Sequence, residues 1–243
     1  MEILSAYRKG SWILVSNIVA NVEQIRQRVA AAALRAGRNP ADVTIIAVSK
    51  TRTIDEIREV LAAGLTHLGE NRVQELKEKW PAIGGSATWH LIGSLQTNKA
   101  KQALDMADLI HSLDRLSLAD ELTRLAGRRG VPCKALVEVN VSGEESKHGV
   151  SPADLPALLR AISDGGNVLV QGLMTMAPLS DDPETARPHF RRLRQLAEQV
   201  RAWGLPGVTM EHLSMGMSGD FEVAVEEGAS LVRVGTAIFG ARS

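Results

Sequence analysis

Thr44-Ile-Ile-Ala-Val-Ser-Lys50 is a short apolar run that ends on an amine. An apolar run of this length reads as a strand covered on both faces, as in a parallel sheet. The lysine then stands at the mouth of whatever the strands enclose. Burial disfavours the charged form of an amine, so a lysine in a partly dry pocket loses proton affinity and can attack a carbonyl. Taken alone, Lys50 has a second reading as a solvated lysine that merely caps a strand.

Working outward from this run, the chain alternates short apolar or β-rich runs with longer helical patterns. Strands are expected over 44–49, 66–69, 87–92, 109–112, 135–141, 168–174, 211–214 and 231–234. Helices are expected over 54–63, 72–80, 98–105, 116–128, 152–163, 185–203 and 218–227, with Pro81 ending the second of them. Gly64, Gly130, Gly204 and Gly228 lie near helix ends, where left-handed backbone is needed. Eight β–α units in succession specify an α/β fold of the (β/α)8 TIM barrel type. An open dinucleotide-binding sheet is disfavoured, because Ser49-Lys50-Thr51-Arg52 lacks a Gly-x-Gly-x-x-Gly turn. The amphipathic pattern over 17–36 adds an extra N-terminal helix outside the barrel.

A length of 243 residues suits one such barrel, and no linker or low-complexity segment divides it. Residues 17–243 therefore read as a single domain. With 28 basic and 28 acidic residues the formal charge is zero, which argues against bulk electrostatic binding of nucleic acid or an anionic membrane. No run approaches the roughly 18 apolar residues of a membrane span. Arg8 and Lys9 before Trp12-Ile-Leu-Val15 imitate a signal peptide, but Asn17 interrupts the apolar run. The single cysteine, Cys133, cannot form an internal disulfide, and a reducing cytoplasm is the expected location.

Barrel chemistry is built at the C-terminal ends of the strands. Those ends carry Lys50, Glu70-Asn71, His90 with Gly93-Ser94, Asp114, Asn140 with Ser142, Met174-Thr-Met176, Ser214 to Ser218, and Arg233 to Thr236. Ser214-Met-Gly-Met-Ser218 precedes a helix, and Val234-Gly-Thr236 follows the eighth strand. Small residues at these two places let backbone N–H groups approach an anion, at the position where many barrels bind phosphate. The competing reading of these glycines is a tight turn and nothing more. Arg233, inside an apolar run, needs a polar partner. A salt bridge to Glu211 or Asp220 would serve, and so would a heteroaromatic ring nitrogen.

A strand-end lysine, a strand-eight arginine and a late phosphate cradle together describe a site for pyridoxal 5'-phosphate. The blocks Ile46-Ala-Val-Ser-Lys-Thr51, His67-Leu-Gly-Glu-Asn-Arg-Val-Gln-Glu75 and Trp89-His-Leu-Ile-Gly-Ser-Leu-Gln-Thr-Asn-Lys99 sharpen this. Further along stand Glu138-Val-Asn-Val141, Ser146-Lys-His-Gly149, Gly172-Leu-Met-Thr-Met-Ala-Pro178, Leu213-Ser-Met-Gly-Met-Ser218 and Val232-Arg-Val-Gly-Thr-Ala-Ile-Phe-Gly-Ala-Arg242. In these blocks the chain resembles the pyridoxal phosphate homeostasis proteins, small single-domain relatives of the alanine racemase N-terminal barrel. The resemblance runs from about Asn17 to the C-terminus. Residues 1–16 fall outside it and read as an extension, flexible in expectation, or as a misplaced start.

The resemblance implies that Lys50 forms the internal aldimine with the cofactor. Gly235 and Thr236 would hold the phosphate, with Ser214, Met217 and Ser218 completing the cradle and Ser218 the favoured side-chain contact. Arg233 would face the pyridine nitrogen; Asn71 and His90 would line the ring or its hydroxyl; Met174 would pack. Racemases of the related barrel add a tyrosine from another domain and subunit. This chain has one tyrosine, Tyr7, outside the matched region.

The leading expectation is a carrier that holds pyridoxal phosphate, takes part in vitamin B6 homeostasis without robust turnover, and hands the cofactor to apoenzymes. A monomer is the expected state. The alternative is a pyridoxal phosphate-dependent racemase or lyase, with Lys50 as a base once released. A third reading is a phosphosugar enzyme using the same cradle. Lys147 reads either as a solvated loop lysine or as a relay for the aldehyde. Lys99 and Lys101 read as surface charges, and Cys133 as a small buried residue.

Overall fold

The computed structural model describes residues 17–144 and 148–240, with a two-residue antiparallel backbone pairing of Tyr7–Arg8 with Ser11–Trp12. Apart from that pairing, the expected extension over residues 1–16 lies outside the described residues, as does Lys147.

Eight parallel strands close into a barrel in chain order. They are β1 (Thr44–Val48), β2 (His67–Glu70), β3 (Thr88–Leu91), β4 (Leu109–Leu113), β5 (Cys133–Glu138), β6 (Val168–Met174), β7 (Val208–Ser214) and β8 (Leu231–Val234). Closure is made by β8, which pairs Leu231 with Thr44 and Val234 with Ala47 on one side, and Leu231 with Ser214 on the other. The expected (β/α)8 barrel is therefore the observed fold. Two packed layers result. Ile46, Leu109, Leu136, Met174 and Leu231 form a small cluster of their own, as alternate strand residues do when they face a barrel interior. The larger core lies between the strands and the surrounding helices.

Those helices are α1 (Asn17–Arg35), α2 (Ile54–Ala62), α3 (Val73–Ile83), α4 (Ala100–Met106), α5 (Leu116–Arg129), α6 (Leu155–Gly165), α7 (Arg187–Arg201), α8 (Phe221–Glu226) and the single turn α9 (Thr236–Phe239). The expected extra helix is α1. It buries Ile18, Val22, Ile25, Val29, Ala32 and Ala33, one stripe at three- and four-residue spacing. That stripe lies against α8 and α9, and Arg28 reaches Glu222 at 2.8 Å while Asn21 donates to the Ile238 oxygen at 2.8 Å. The start of α2 is set by a capping box: Thr53 Oγ accepts from the Glu56 N–H, and Glu56 accepts from the Thr53 N–H.

Several boundaries differ from expectation by a few residues, as where β5 runs Cys133–Glu138 rather than 135–141 and α6 runs Leu155–Gly165 rather than 152–163, and three differences bear on the site or have a local cause. Pro81 does not end α3, which continues to Ile83; the missing N–H falls in the last turn, so one backbone hydrogen bond is forfeited. β7 begins at Val208 rather than at residue 211, and its Met210 has φ 55°. A strand start with an exposed, irregular pattern gives no apolar alternation to read. Residues 218–220 stand before α8 rather than in it, which leaves the Ser218 side chain available to the barrel mouth. Among the described residues no helix is long and apolar enough to cross a membrane.

Candidate functional site

Lys50 follows β1 by two residues, and the corner that carries it is gripped from several sides. The Ser49 N–H donates to the Gly69 oxygen, and the Ser49 oxygen accepts from both the Arg52 N–H and Lys79 Nζ, the latter at 2.7 Å. Ser49 Oγ donates to Glu70 Oε1 at 2.7 Å, and Lys79 Nζ reaches the same oxygen at 2.7 Å. Thr51 adopts a left-handed φ of 64°, which costs a β-branched residue about 1–2 kcal/mol. Its N–H donates to Glu75 Oε2 at 2.7 Å, a charge-assisted bond that offsets the strain. Lys50 itself is half-buried and has no hydrogen-bond or ion-pair partner among the described residues. Its backbone is held while its amine is left to the cavity.

The cavity, about 450 Å³, is lined by Lys50, Asn71, Met217, Ser218, Arg233, Gly235 and Thr236 together with Arg52, Gly93 and Met176. Two glycines allow its walls to close. A Cβ on Gly93 would stand 2.3 Å from the Asn71 oxygen, so β2 and β3 could not end so near each other. Gly216 has φ 91°, and a Cβ there would meet the Ala224 Cβ at 2.5 Å.

At one end of the cavity Ser218 Oγ accepts from the N–H groups of Gly235 and Ala237, each at 3.3 Å. Two backbone donors therefore converge on one point, with the Thr236 hydroxyl beside them in the lining. A phosphate oxygen suits such convergent donors. Arg52 brings a guanidinium to the same wall, tied to the Gly240 oxygen at 2.7 Å and standing over the Phe239 ring.

Arg233 is buried, and neither expected carboxylate pairs with it. Its Nη1 donates to Ser214 Oγ at 2.6 Å and its Nη2 to the Thr175 oxygen at 2.9 Å. Glu211 is exposed, and Asp220 instead accepts from the Met217 N–H at 2.6 Å. Burial pulls the guanidinium down to about 10, still charged at neutral pH, with Asp220 and Glu138 acting in the opposite sense. Glu138, at the end of β5, is pushed up to about 7 by burial and then by Asp114, against the pull of Arg233.

Seven of the nine residues selected from the sequence thus meet around one cavity. Ser214 and His90 do not line it. Ser214 lies behind Arg233, and His90 has both ring nitrogens engaged, by His67 and His111 at 2.9 Å each. Met174 packs in the interior cluster, as expected. Cys133 is buried, and burial raises its thiol to about 12. Sequence reasoning passed over Arg52, Glu75 and Lys79. The four-residue spacing of Glu75 and Lys79 was visible, but it reads as an ordinary surface pair on a helix.

The chain matches the family model described as alanine racemase, N-terminal domain, over residues 14–243. It is 44% identical over 93% of its length to the pyridoxal phosphate homeostasis protein of Aquifex aeolicus, covering 99% of that protein. With the protein of the same name from Pseudomonas aeruginosa it shares 39% identity over 94% of its length and 97% of the relative's. Among solved structures, PipY of Synechococcus elongatus with pyridoxal phosphate bound superposes with a TM-score of 0.78 at 41% identity, over 89% of this chain and all of PipY. Barrel, cavity and near full-length identity agree: the chain belongs to the pyridoxal phosphate homeostasis protein family.

Proposed function

We propose that this protein holds pyridoxal 5'-phosphate reversibly on Lys50 and serves its homeostasis in the cytoplasm without robust turnover. The observation that carries this reading is the meeting of Lys50, Arg233, Gly235, Thr236 and Ser218 on one cavity, with the Gly235 and Ala237 amides converging on Ser218 Oγ. When bound, the cofactor supplies an aldehyde that a primary amine captures as a reversible covalent adduct. Lys50 offers that amine from a backbone corner fixed by Lys79, Glu70 and Glu75. Gly235, Thr236 and Ser218 would hold the phosphate, and Arg52, paired with Glu56 at 3.2 Å, stands in the lining of the same cavity. Asn71 borders the ring.

Arg233, cationic at neutral pH, would face the ring nitrogen and would disfavour its protonation. An unprotonated ring is a weaker electron sink, which favours holding over catalysis. Apoenzymes that depend on the cofactor are the proposed recipients.

The test is an absorbance spectrum of purified protein with and without the cofactor, then borohydride reduction and peptide mapping. One adduct on Lys50, lost in Lys50→Ala, is expected. Labelling scattered over surface lysines would overturn the site. Rapid α-proton exchange from amino acids by the loaded protein would overturn the non-catalytic part.

A further inference from the structure

Arg233 does not end in an isolated serine. Ser214 Oγ lies 2.9 Å from His111 Nδ1; His111 Nε2 lies 2.9 Å from His90 Nδ1; and His90 Nε2 lies 2.9 Å from His67 Nδ1. The three rings come from β4, β3 and β2 in turn. Ser214, His111 and His90 are buried; His67 is half-buried at the first residue of β2, the end of the barrel opposite the cavity. The rings bond one another in series rather than converging on a point. Among the described residues no group of His, Cys, Asp and Glu is placed to hold a metal ion.

The direction of every bond in this series follows from one fact: a guanidinium only donates. Ser214 Oγ must accept from Arg233. Its own proton then has one partner in reach, His111 Nδ1. A neutral His111 therefore carries its proton on Nε2 and gives it to His90 Nδ1, and His90 in turn donates from Nε2 to His67 Nδ1. The opposite polarity would make Ser214 accept twice and leave its proton buried without a partner, which is the costlier arrangement. Burial also holds His111 and His90 well below the ordinary imidazole range, so neutral rings are the stable state.

We propose that Ser214 and His111 are positioning residues for Arg233, and that the serine–histidine series fixes the guanidinium to meet the ring nitrogen of pyridoxal phosphate. Arg233 is held at both ends, by Ser214 on Nη1 and by the Thr175 oxygen on Nη2. The grip on Nη1 depends on the serine proton being committed elsewhere, because a hydroxyl that donates onward is a better acceptor. His111 supplies that commitment. The inference rests on the proposed cofactor reading and adds to it the residues that aim the arginine.

The experiment compares affinity for pyridoxal phosphate with affinity for its analogue bearing C–H in place of the ring nitrogen. Native protein is expected to prefer the natural cofactor by about tenfold or more, the worth of a hydrogen bond from a charged donor. H111N keeps an acceptor where Nδ1 stood and should retain that preference. H111Q, which places its amide at the Nε2 position, and S214A should reduce it to about threefold or less while both ligands still bind. An unchanged preference in H111Q and S214A would overturn the positioning role and leave the cofactor reading standing. No preference in native protein would overturn the arginine–nitrogen contact itself. On unaltered, ligand-free protein, nitrogen-15 NMR should show His111, His90 and His67 protonated on Nε2, and an Nδ1-protonated His111 would overturn the polarity.

Discussion

Lys79 Nζ lies 2.7 Å from the backbone oxygen of Ser49, the residue immediately before Lys50. A second amine thus supports the backbone of the first. Lys79 is almost enclosed and shares Glu70 Oε1 with Ser49 Oγ, while the buried Glu70 Oε2 has no hydrogen-bond partner among the described residues.

Lys79→Met should therefore destabilise the fold strongly, because it leaves the buried Glu70 without its counter-charge. Removing one partner of a buried pair costs about 3–5 kcal/mol. Urea unfolding would measure this. Lys79→Met combined with Glu70→Gln should recover part of the loss, and a double variant no more stable than the single one would contradict the pairing.

Glu138 gives a pH dependence with a definite sign. In the folded chain it keeps its proton up to about pH 7, against an ordinary value of 4.5. Between those limits the folded state holds more protons than the unfolded chain, so stability falls as pH rises through this window. Glu138→Gln should remove a contribution on the order of 2–3 kcal/mol from that slope. His90 has the opposite sign: held down to about 3, it favours folding more as pH rises toward 6.5. Comparing unfolding of the native and Glu138→Gln proteins from pH 5 to 8 separates the two.

Gly216→Ala should displace the loop between β7 and α8. Its φ of 91° and the 2.5 Å approach to Ala224 leave no room for a methyl group. A loss of about 1–3 kcal/mol is expected, with cofactor affinity down by more than about tenfold. Calorimetry and absorbance titration would show both, and an unaffected titration would remove this loop from the site.

Ile25→Ala tests the outer helix independently. Ile25 is 1% exposed on the face of α1 that meets the barrel's last helices, and its truncation should cost about 2–5 kcal/mol. The cofactor spectrum should not change, since α1 contributes nothing to the cavity lining.

Local regularities account for what could be read before the fold was known. A buried strand, a capped helix and a glycine-bearing turn each declare themselves within a few residues, so the eight β–α units were legible in order. So were the residues that end the strands, including Lys50, Asn71, Ser218, Arg233, Gly235 and Thr236. The same reasoning misjudged Pro81, because a proline in the last turn of a helix has little to disrupt. It passed over His67 and His111, because one histidine inside an apolar strand carries no local signal of what it faces.

Sequence by itself determined the repeating architecture and the demand that Arg233 find a polar partner. Only the closed barrel decided which partner. Ser214 and His111 stand 103 residues apart and meet because strand register and barrel closure bring β7 and β4 across the interior. Glu211 and Asp220, the carboxylates that the sequence offers Arg233, were passed over because one faces solvent and the other caps its own turn. Side-chain type and spacing are local properties, whereas the pairing of buried donors with acceptors is settled by what the enclosed volume places within reach.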